Sequence, residues 1–346
     1  MDAKKSGGPL VGITIGDLNG VGPEVVLKTF SDSRMMRYVT PVIYASQKVV
    51  SFYRKSLNLD KFNYHQARDF SEINPRKVNV VNCWEDQVDI KAGEVTEEAG
   101  KYAAISLKRA SDDLKAGHIQ AIVTAPINKK NIQSEDFDFP GHTEFFTSMY
   151  EGKESLMMLV SDELRVGVVT GHIPLKSVAD KITKERLTKK LKVMEKSLIN
   201  DFGIVKPKIA VLGLNPHASD DGLIGSEEER VITPVINELK NKGKLIFGPF
   251  PADGFFGNVE FTKFDAVMAM YHDQGLTPFK MVAFQSGVNF TAGLPIVRTS
   301  PDHGTAYGIA GKGIADETSI REAVTMAVKI LHQRSEANVS VTEKEI

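Results

Sequence analysis

The sequence predicts an α/β protein built on a mainly parallel sheet with helices on both faces. Two features carry that expectation. Short apolar runs alternate with longer amphipathic stretches along the whole chain. The runs are β-branched or continuously apolar rather than alternating, which is the signature of strands covered on both sides.

Taken in order, "LVGITIG" (10–16) reads as the first strand, and Pro23 to Phe30 as the first helix, with Pro at its first position. "TPVIYA" (40–45), "VNVVN" (78–82) and "IQAIVTA" (119–125) are further strands, and Thr96 to Ala116 is a helix between the last two. "SLMMLVS" (155–161) and "RVGVVTG" (165–171) follow, then a helix over Lys184 to Ile199. "KIAVLGLN" (208–215), a helix over Ser226 to Leu239, "DAVMAMY" (265–271) and a closing helix over Asp316 to Gln333 complete the pattern. Strand-then-helix repetition of this kind builds parallel sheets. Composition shifts sharply at "NIQSEDFDFPGHTEF" (131–145), which places a domain crossover there. The expected division is 1–135 plus 300–346 for a first domain and 136–299 for a second.

Composition narrows the class of function. The chain has 346 residues, 42% hydrophobic and 25% charged, with 43 basic against 44 acidic side chains. That is enough apolar content for a sizeable core. The near-zero balance gives no global pull toward nucleic acid or membrane, so any anion must be held by a local cluster. Cys83 is the only cysteine, which rules out an internal disulfide and a Cys-based metal site and fits a reducing cytosol. The first apolar run meets Asp17 too early for a signal peptide, and no apolar segment is long enough to span a bilayer. A cytoplasmic protein is expected.

Ligand chemistry in such sheets gathers at the carboxyl ends of strands. Five of the eight histidines follow strands or sit in glycine-rich turns: His142, His172, His217, His272 and His303. His172, His217 and His272 each follow an apolar strand. Neighbouring strands lie about 4.8 Å apart, so their imidazoles can converge, directly or across a subunit boundary. Three imidazoles and an open position suit Zn²⁺ or another divalent ion, with Asp273 as support for His272. Three unrelated turn histidines would read the same way on spacing alone. The turn "GITIGDLNGVGPEVV" (12–26) offers a helix start for an anion, yet it is neither G-x-G-x-x-G nor a Walker A loop. Lys280, Asn289 and Arg298, with His142 and Thr143, can neutralise a small phosphorylated substrate.

Seven stretches, in order, give the chain a likeness: "VTAPINK" (123–129), "PGHTEFF" (140–146), "VTGHIPL" (169–175), "LNPHASDDGLIGSEE" (214–228), "GPFPADGFF" (248–256), "YHDQGLTPFK" (271–280) and "GLPIVRTSPDHGTAYGIAG" (293–311). Nearly the whole chain resembles the 4-hydroxythreonine-4-phosphate dehydrogenase family of vitamin B6 biosynthesis. The resemblance implies two α/β/α domains of isopropylmalate dehydrogenase type, with an active site in the interdomain cleft at a dimer interface. It implies NAD- or NADP-dependent oxidation of 4-hydroxythreonine 4-phosphate, followed by decarboxylation. Metal ligands fall on His172, His217 and His272, with Zn²⁺ the first choice and Mg²⁺, Mn²⁺ or Co²⁺ the alternatives. Substrate contacts fall on His142, Thr143, Lys280, Asn289 and Arg298, and Asp253 matches a further site position. Lys280, His142 and Asp253 are the candidates for catalysis. The run from His303 through Gly304, Thr305 and Ala306 resembles the cofactor loop of the β-decarboxylating dehydrogenases. Gly308 stands where an acidic residue can read the adenosine ribose in those relatives, and "GDLNG" departs from the commoner "GDPAG". A homodimer sharing its metal site is expected. Dehydrogenation of a 4-phosphorylated threonate or erythronate is the nearest alternative reading. Metal-dependent hydrolysis and acyl transfer are alternatives of other classes.

Overall fold

Continuous apolar runs become strands buried on both faces. The computed structural model describes residues 7–134, 137–150 and 153–342. Its strands are β1 (Leu10–Thr14), β2 (Thr40–Ala45), β3 (Tyr64–Ala67), β4 (Val78–Asn82), β5 (Ala121–Thr124), β6 (Leu156–Val160), β7 (Arg165–Thr170), β8 (Ile209–Leu212), β9 (Ile246–Phe250), β10 (Ala266–Tyr271), β11 (Val288–Ala292) and β12 (Val297–Pro301). The α-helices are α1 (Gly22–Ser31), α2 (Gln47–Ser56), α3 (Glu97–Lys115), α4 (His142–Ser148), α5 (Val178–Lys181), α6 (Lys184–Asn200), α7 (Thr233–Asn241), α8 (Ala252–Gly257), α9 (His272–Ala283) and α10 (Thr318–Thr342). Among the described residues no helix is long and apolar enough to cross a membrane.

Contacts divide the chain into two units. One comprises the residues up to Ser148 together with Ile296–His332; the other comprises Met149–Pro295 and the residues from Gln333 onward. The boundary expected between residues 135 and 136 falls outside the described residues.

In the first unit the strand order is β3-β4-β2-β1-β5-β12, and every pairing is parallel. Ile13 sits opposite Ile43 on one side and Val123 on the other, and all three are fully buried. Helix α3 begins where Thr96 accepts a hydrogen bond from the Ala99 N–H at 3.2 Å, with Glu97 and Glu98 in the first turn. Such a cap is worth about 1 kcal/mol, and the acids complement the helix dipole.

In the second unit the order is β11-β6-β7-β10-β8-β9. The first two pairings are antiparallel and the remaining three are parallel. Strand β10 therefore lies between β7 and β8. Helix α9 packs directly on this sheet because Gly275 has no side chain. A Cβ there would stand 2.6 Å from Val166 Cγ1 and 2.9 Å from Ala269 Cβ. Leu276 and Phe279 of the same helix join Val166, Val168, Val267 and Ala269 in the core. That close seating fixes the start of α9, where His272 stands.

Candidate active site

The first unit gathers cationic groups around His142. Arg298 lies on β12, opposite Ile122 of β5, and is only 2% exposed. Its Nε and Nη2 both donate to Thr124 Oγ1, at 3.2 and 2.6 Å, from the last residue of β5. Burial pushes the guanidinium down to about 9, and the Glu144 carboxylate opposes that shift. His142 opens α4, and its Nε2 is buried with no hydrogen-bond partner among the described residues. Burial first, then Arg298 and Lys129, hold its imidazole well below the ordinary range. Thr143 follows it, with its carbonyl accepting from Thr147 Oγ1 at 2.7 Å. A buried guanidinium, a lysine and an imidazole with an open nitrogen form a site for an anion.

The His142 shift has a consequence for stability. Its folded value lies below the ordinary 6.5, so the unfolded chain binds a proton that the fold refuses. The stability it contributes is present above about pH 6.5 and is lost as the pH falls toward the lowered folded value. We expect the unfolding free energy to drop between roughly pH 7 and 5, by at most about 1.4 kcal/mol per pH unit from this group. The drop should be shallower in His142→Gln, as read by urea titrations across that range. Equal slopes in the two proteins would remove His142 as the cause.

Also in this unit, His303 Nδ1 lies 3.0 Å from the Gly304 carbonyl, and its Nε2 is buried without a partner among the described residues. A Cβ at Gly304 or Gly308 would meet nothing within 4 Å. Ala306 adopts left-handed backbone angles, with φ 43°. Cys83 is no nucleophile, because burial pushes its thiol up to about 12.

In the second unit, His172 follows β7, His217 follows β8 and His272 follows β10. The structure thus puts the three histidines after three adjacent parallel strands. His172 and His272 stand together, with ring centroids 5.5 Å apart. His272 Nδ1 lies 2.6 Å from Asp273 Oδ1, which orients the ring through Nδ1 and leaves Nε2 as the nitrogen that could meet a ligand. His217 begins a run of five left-handed residues that continues through Ala218, Ser219, Asp220 and Asp221. Such backbone is costly for residues other than glycine and collects at functional sites. No group of three His, Cys, Asp or Glu among the described residues is arranged to hold a metal. The donor chemistry of the His172–His272 pair fits a divalent ion as two ligands of a set.

Two side chains that sequence reading missed fix the carriers of these histidines. Gln274 Nε2 donates to the Gly213 carbonyl at 2.6 Å, while its Oε1 accepts from the Met270 N–H at 2.7 Å. It therefore ties the end of β10 to the loop after β8. Buried Glu228 accepts from the N–H groups of Leu214 and Asn215 at 2.6 and 2.7 Å, and holds the segment leading to His217. Lys280 lies within α9, not at a strand end, and is half-buried. Asn289 is on β11, its Oδ1 buried and without a partner among the described residues. Asp253 is exposed in α8. Thr124, Lys129 and Glu144 also went unmarked as site residues. The only signal for them was their place in the "VTAPINK" and "PGHTEFF" stretches.

Histidines following adjacent parallel strands, with a buried cation elsewhere in the chain, are the layout of a metabolic enzyme. Comparison with known proteins makes that enzyme a dehydrogenase. A family model described as "Pyridoxal phosphate biosynthetic protein PdxA" matches residues 37–327. The 4-hydroxythreonine-4-phosphate dehydrogenase of Bacteroides thetaiotaomicron is 50% identical over 325 residues, covering 94% of this chain and 89% of the relative. A protein of Oceanobacillus iheyensis, provisionally named a D-threonate 4-phosphate dehydrogenase, is 39% identical over 326 residues, covering 93% and 98%. The crystal structure of 4-hydroxythreonine-4-phosphate dehydrogenase from Klebsiella pneumoniae superposes with a TM-score of 0.81 at 32% identity, covering 95% of this chain and 99% of that one. The chain belongs to the PdxA family of pyridoxal phosphate biosynthetic proteins.

Proposed function

We propose that this chain oxidises 4-hydroxythreonine 4-phosphate with a nicotinamide dinucleotide, NAD or NADP, and that the resulting 3-keto acid loses CO₂ to give 3-amino-2-oxopropyl phosphate. The observation that carries this reading is the cluster of buried Arg298, Lys129 and the unpartnered His142 Nε2, which can supply charge and hydrogen bonds for a phosphate. By this reading Lys280 and Arg298 hold the phosphate, and His142, Thr143 and Asn289 are the further substrate contacts. Fixed geometry of this kind lowers the barrier by removing orientational freedom before reaction. His142 is held neutral, so its open Nε2 either donates to a phosphate oxygen as the N–H tautomer or accepts the hydroxyl proton as the other tautomer, and it cannot do both at once. Lys280 and Asp253 are the other candidates for moving protons. His303, Gly304, Thr305 and Ala306 hold the dinucleotide.

His172, His217 and His272 would hold a divalent metal, Zn²⁺ by ligand type, within a homodimer whose subunits share the site. When bound, the ion supplies Lewis acidity toward the substrate hydroxyl and, later, the ketone.

The test is dinucleotide reduction with each candidate substrate. Purified protein is given NAD or NADP with 4-hydroxythreonine 4-phosphate, D-threonate 4-phosphate or D-erythronate 4-phosphate, and absorbance of the reduced nicotinamide is followed together with CO₂ release. Turnover is expected with the hydroxythreonine ester. Reduction confined to a sugar-acid ester would replace the substrate, and phosphate release without reduction would replace the reaction class.

A further inference from the structure

Two carboxylates of the first unit are fully buried and stand outside the set of site residues named above. Asp17 belongs to the turn after β1, and Glu24 to α1; both are 0% exposed. A buried carboxylate is retained only when its oxygens are well supplied with donors. Asp17 Oδ1 accepts from the Asn19 N–H at 2.9 Å. Its Oδ2 accepts from Asn131 Nδ2 at 2.7 Å and from the Tyr307 hydroxyl at 2.9 Å. Burial, with the Asp17 charge among the smaller causes, pushes the Tyr307 phenol up to about 12, so it remains a donor. Glu24 Oε1 accepts from Lys28 Nζ and from the Ala315 N–H, both at 2.8 Å, and Oε2 accepts from the Gly313 N–H at 3.3 Å. Lys28 Nζ in turn donates to the carbonyls of Gly313 and Ala315, at 2.7 and 2.8 Å.

Between these two anchors the chain closes further. The Val21 N–H donates to the Thr305 carbonyl at 2.9 Å. Gly20 permits this approach, because a Cβ there would lie 2.9 Å from that same oxygen. The segment from Thr305 to Ala315 is thus gripped at three places by residues 17–28, which lie almost a chain length away. Ungripped, it would be soft, since it contains Gly308, Gly311 and Gly313. The grip also offsets the cost of left-handed Ala306.

We propose that Asp17, acting through Tyr307, and Glu24, acting through the Gly313 and Ala315 amides, are positioning residues that preset the dinucleotide-binding segment. This rests on the reading that the segment takes the nicotinamide dinucleotide. The anchors occupy the Thr305 carbonyl and the Gly313 and Ala315 amides, while Gly304 and Gly308 have open space around them where a Cβ would point. An ordered backbone with open glycines suits close approach by a pyrophosphate.

Tyr307→Phe tests the claim with the least disturbance, since it deletes one hydroxyl; Glu24→Gln is the second variant. Fluorescence titration with NADH and with NADPH is expected to show dinucleotide binding weakened about tenfold in Tyr307→Phe, equivalent to about 1.4 kcal/mol. The KM for the dinucleotide should rise in step, while the KM for the phosphorylated substrate stays within about twofold. A purely structural role would lower the melting temperature and leave both dinucleotide constants unchanged, and that result in both variants would overturn the proposal. A wild-type protein that binds neither NADH nor NADPH would overturn the cofactor reading, and the proposal with it.

Discussion

Arg298→Met is expected to lower kcat/KM by about two to three powers of ten while leaving the protein as stable as before, or more so. The stability half follows from the cost of burial. A guanidinium 2% exposed has given up most of its hydration, and its value is pushed down to about 9 as a result. Removing the buried charge removes that desolvation cost, and a methionine fills much of the same volume. The activity half follows from the proposed role of the charge in holding the substrate phosphate. Charged hydrogen bonds to a phosphate are worth roughly 1.5–3 kcal/mol each, and a guanidinium can make two. Losing both, each near the lower end of that range, costs about 3–4 kcal/mol of transition-state binding, which is that fall in rate constant.

The pH dependence separates this from a general loss of fold. Below about pH 9 the folded protein carries a charge it holds at a cost, and from about 9 to 12.5 the unfolded chain binds the proton more readily. Stability from this group therefore rises with pH in that window, and Arg298→Met should abolish the rise. Substrate binding runs the other way, because the phosphate needs the charged form. The wild-type KM should climb above about pH 9, and the variant, already weak, should lack that limb. Arg298→Lys keeps the charge but not the fork, and should fall between the two. A variant that melts early and turns over normally would make Arg298 a structural residue.

This residue also shows where sequence reading stops. β2, β7 and β10 were legible because nothing but apolar side chains and glycine fills their centres. β12, "VRTSP", was not, since an arginine, two hydroxyls and a proline imitate a loop. β11, "VNFTA", and the edge strand β3, "YHQA", are similarly polar. Helix α9 was missed for a different reason. Gly275 and Pro278 both lower helix propensity, and only the tertiary contact with Val166 and Ala269 explains the glycine. The three histidines were singled out because strand ends are where such sheets do chemistry. The adjacency of their strands depends on β10 inserting between β7 and β8, and chain order does not reveal that insertion. Gln274 and Glu228 lay hidden because their partners are backbone atoms of the 213–215 segment, some 13 to 61 residues distant.

Metal removal is the second large effect, and it can be made to report on subunit sharing. Chelation is expected to abolish turnover, and His172→Ala, His217→Ala and His272→Ala should each lose metal affinity by orders of magnitude. His172 and His217 are exposed, and His272 sits at a helix start, so the metal-free variants should melt with the metal-free wild type. Asp273→Asn keeps all three ligands but weakens the orientation of His272, and should cost about 10–100-fold in affinity. His172 and His272 lie together in one chain, with rings 5.5 Å apart, and no third ligand group accompanies them among the described residues. If the partner subunit supplies the third imidazole, two inactive variants should rescue each other. A His217→Ala subunit still offers the His172–His272 pair, and a His272→Ala subunit still offers the lone His217. Random exchange makes about half the dimers mixed, and each mixed dimer rebuilds one whole site of two, so about a quarter of the wild-type activity should return. Rescue that never rises above background would place all three ligands in a single chain. Retained activity after exhaustive chelation would remove the metal from the mechanism altogether.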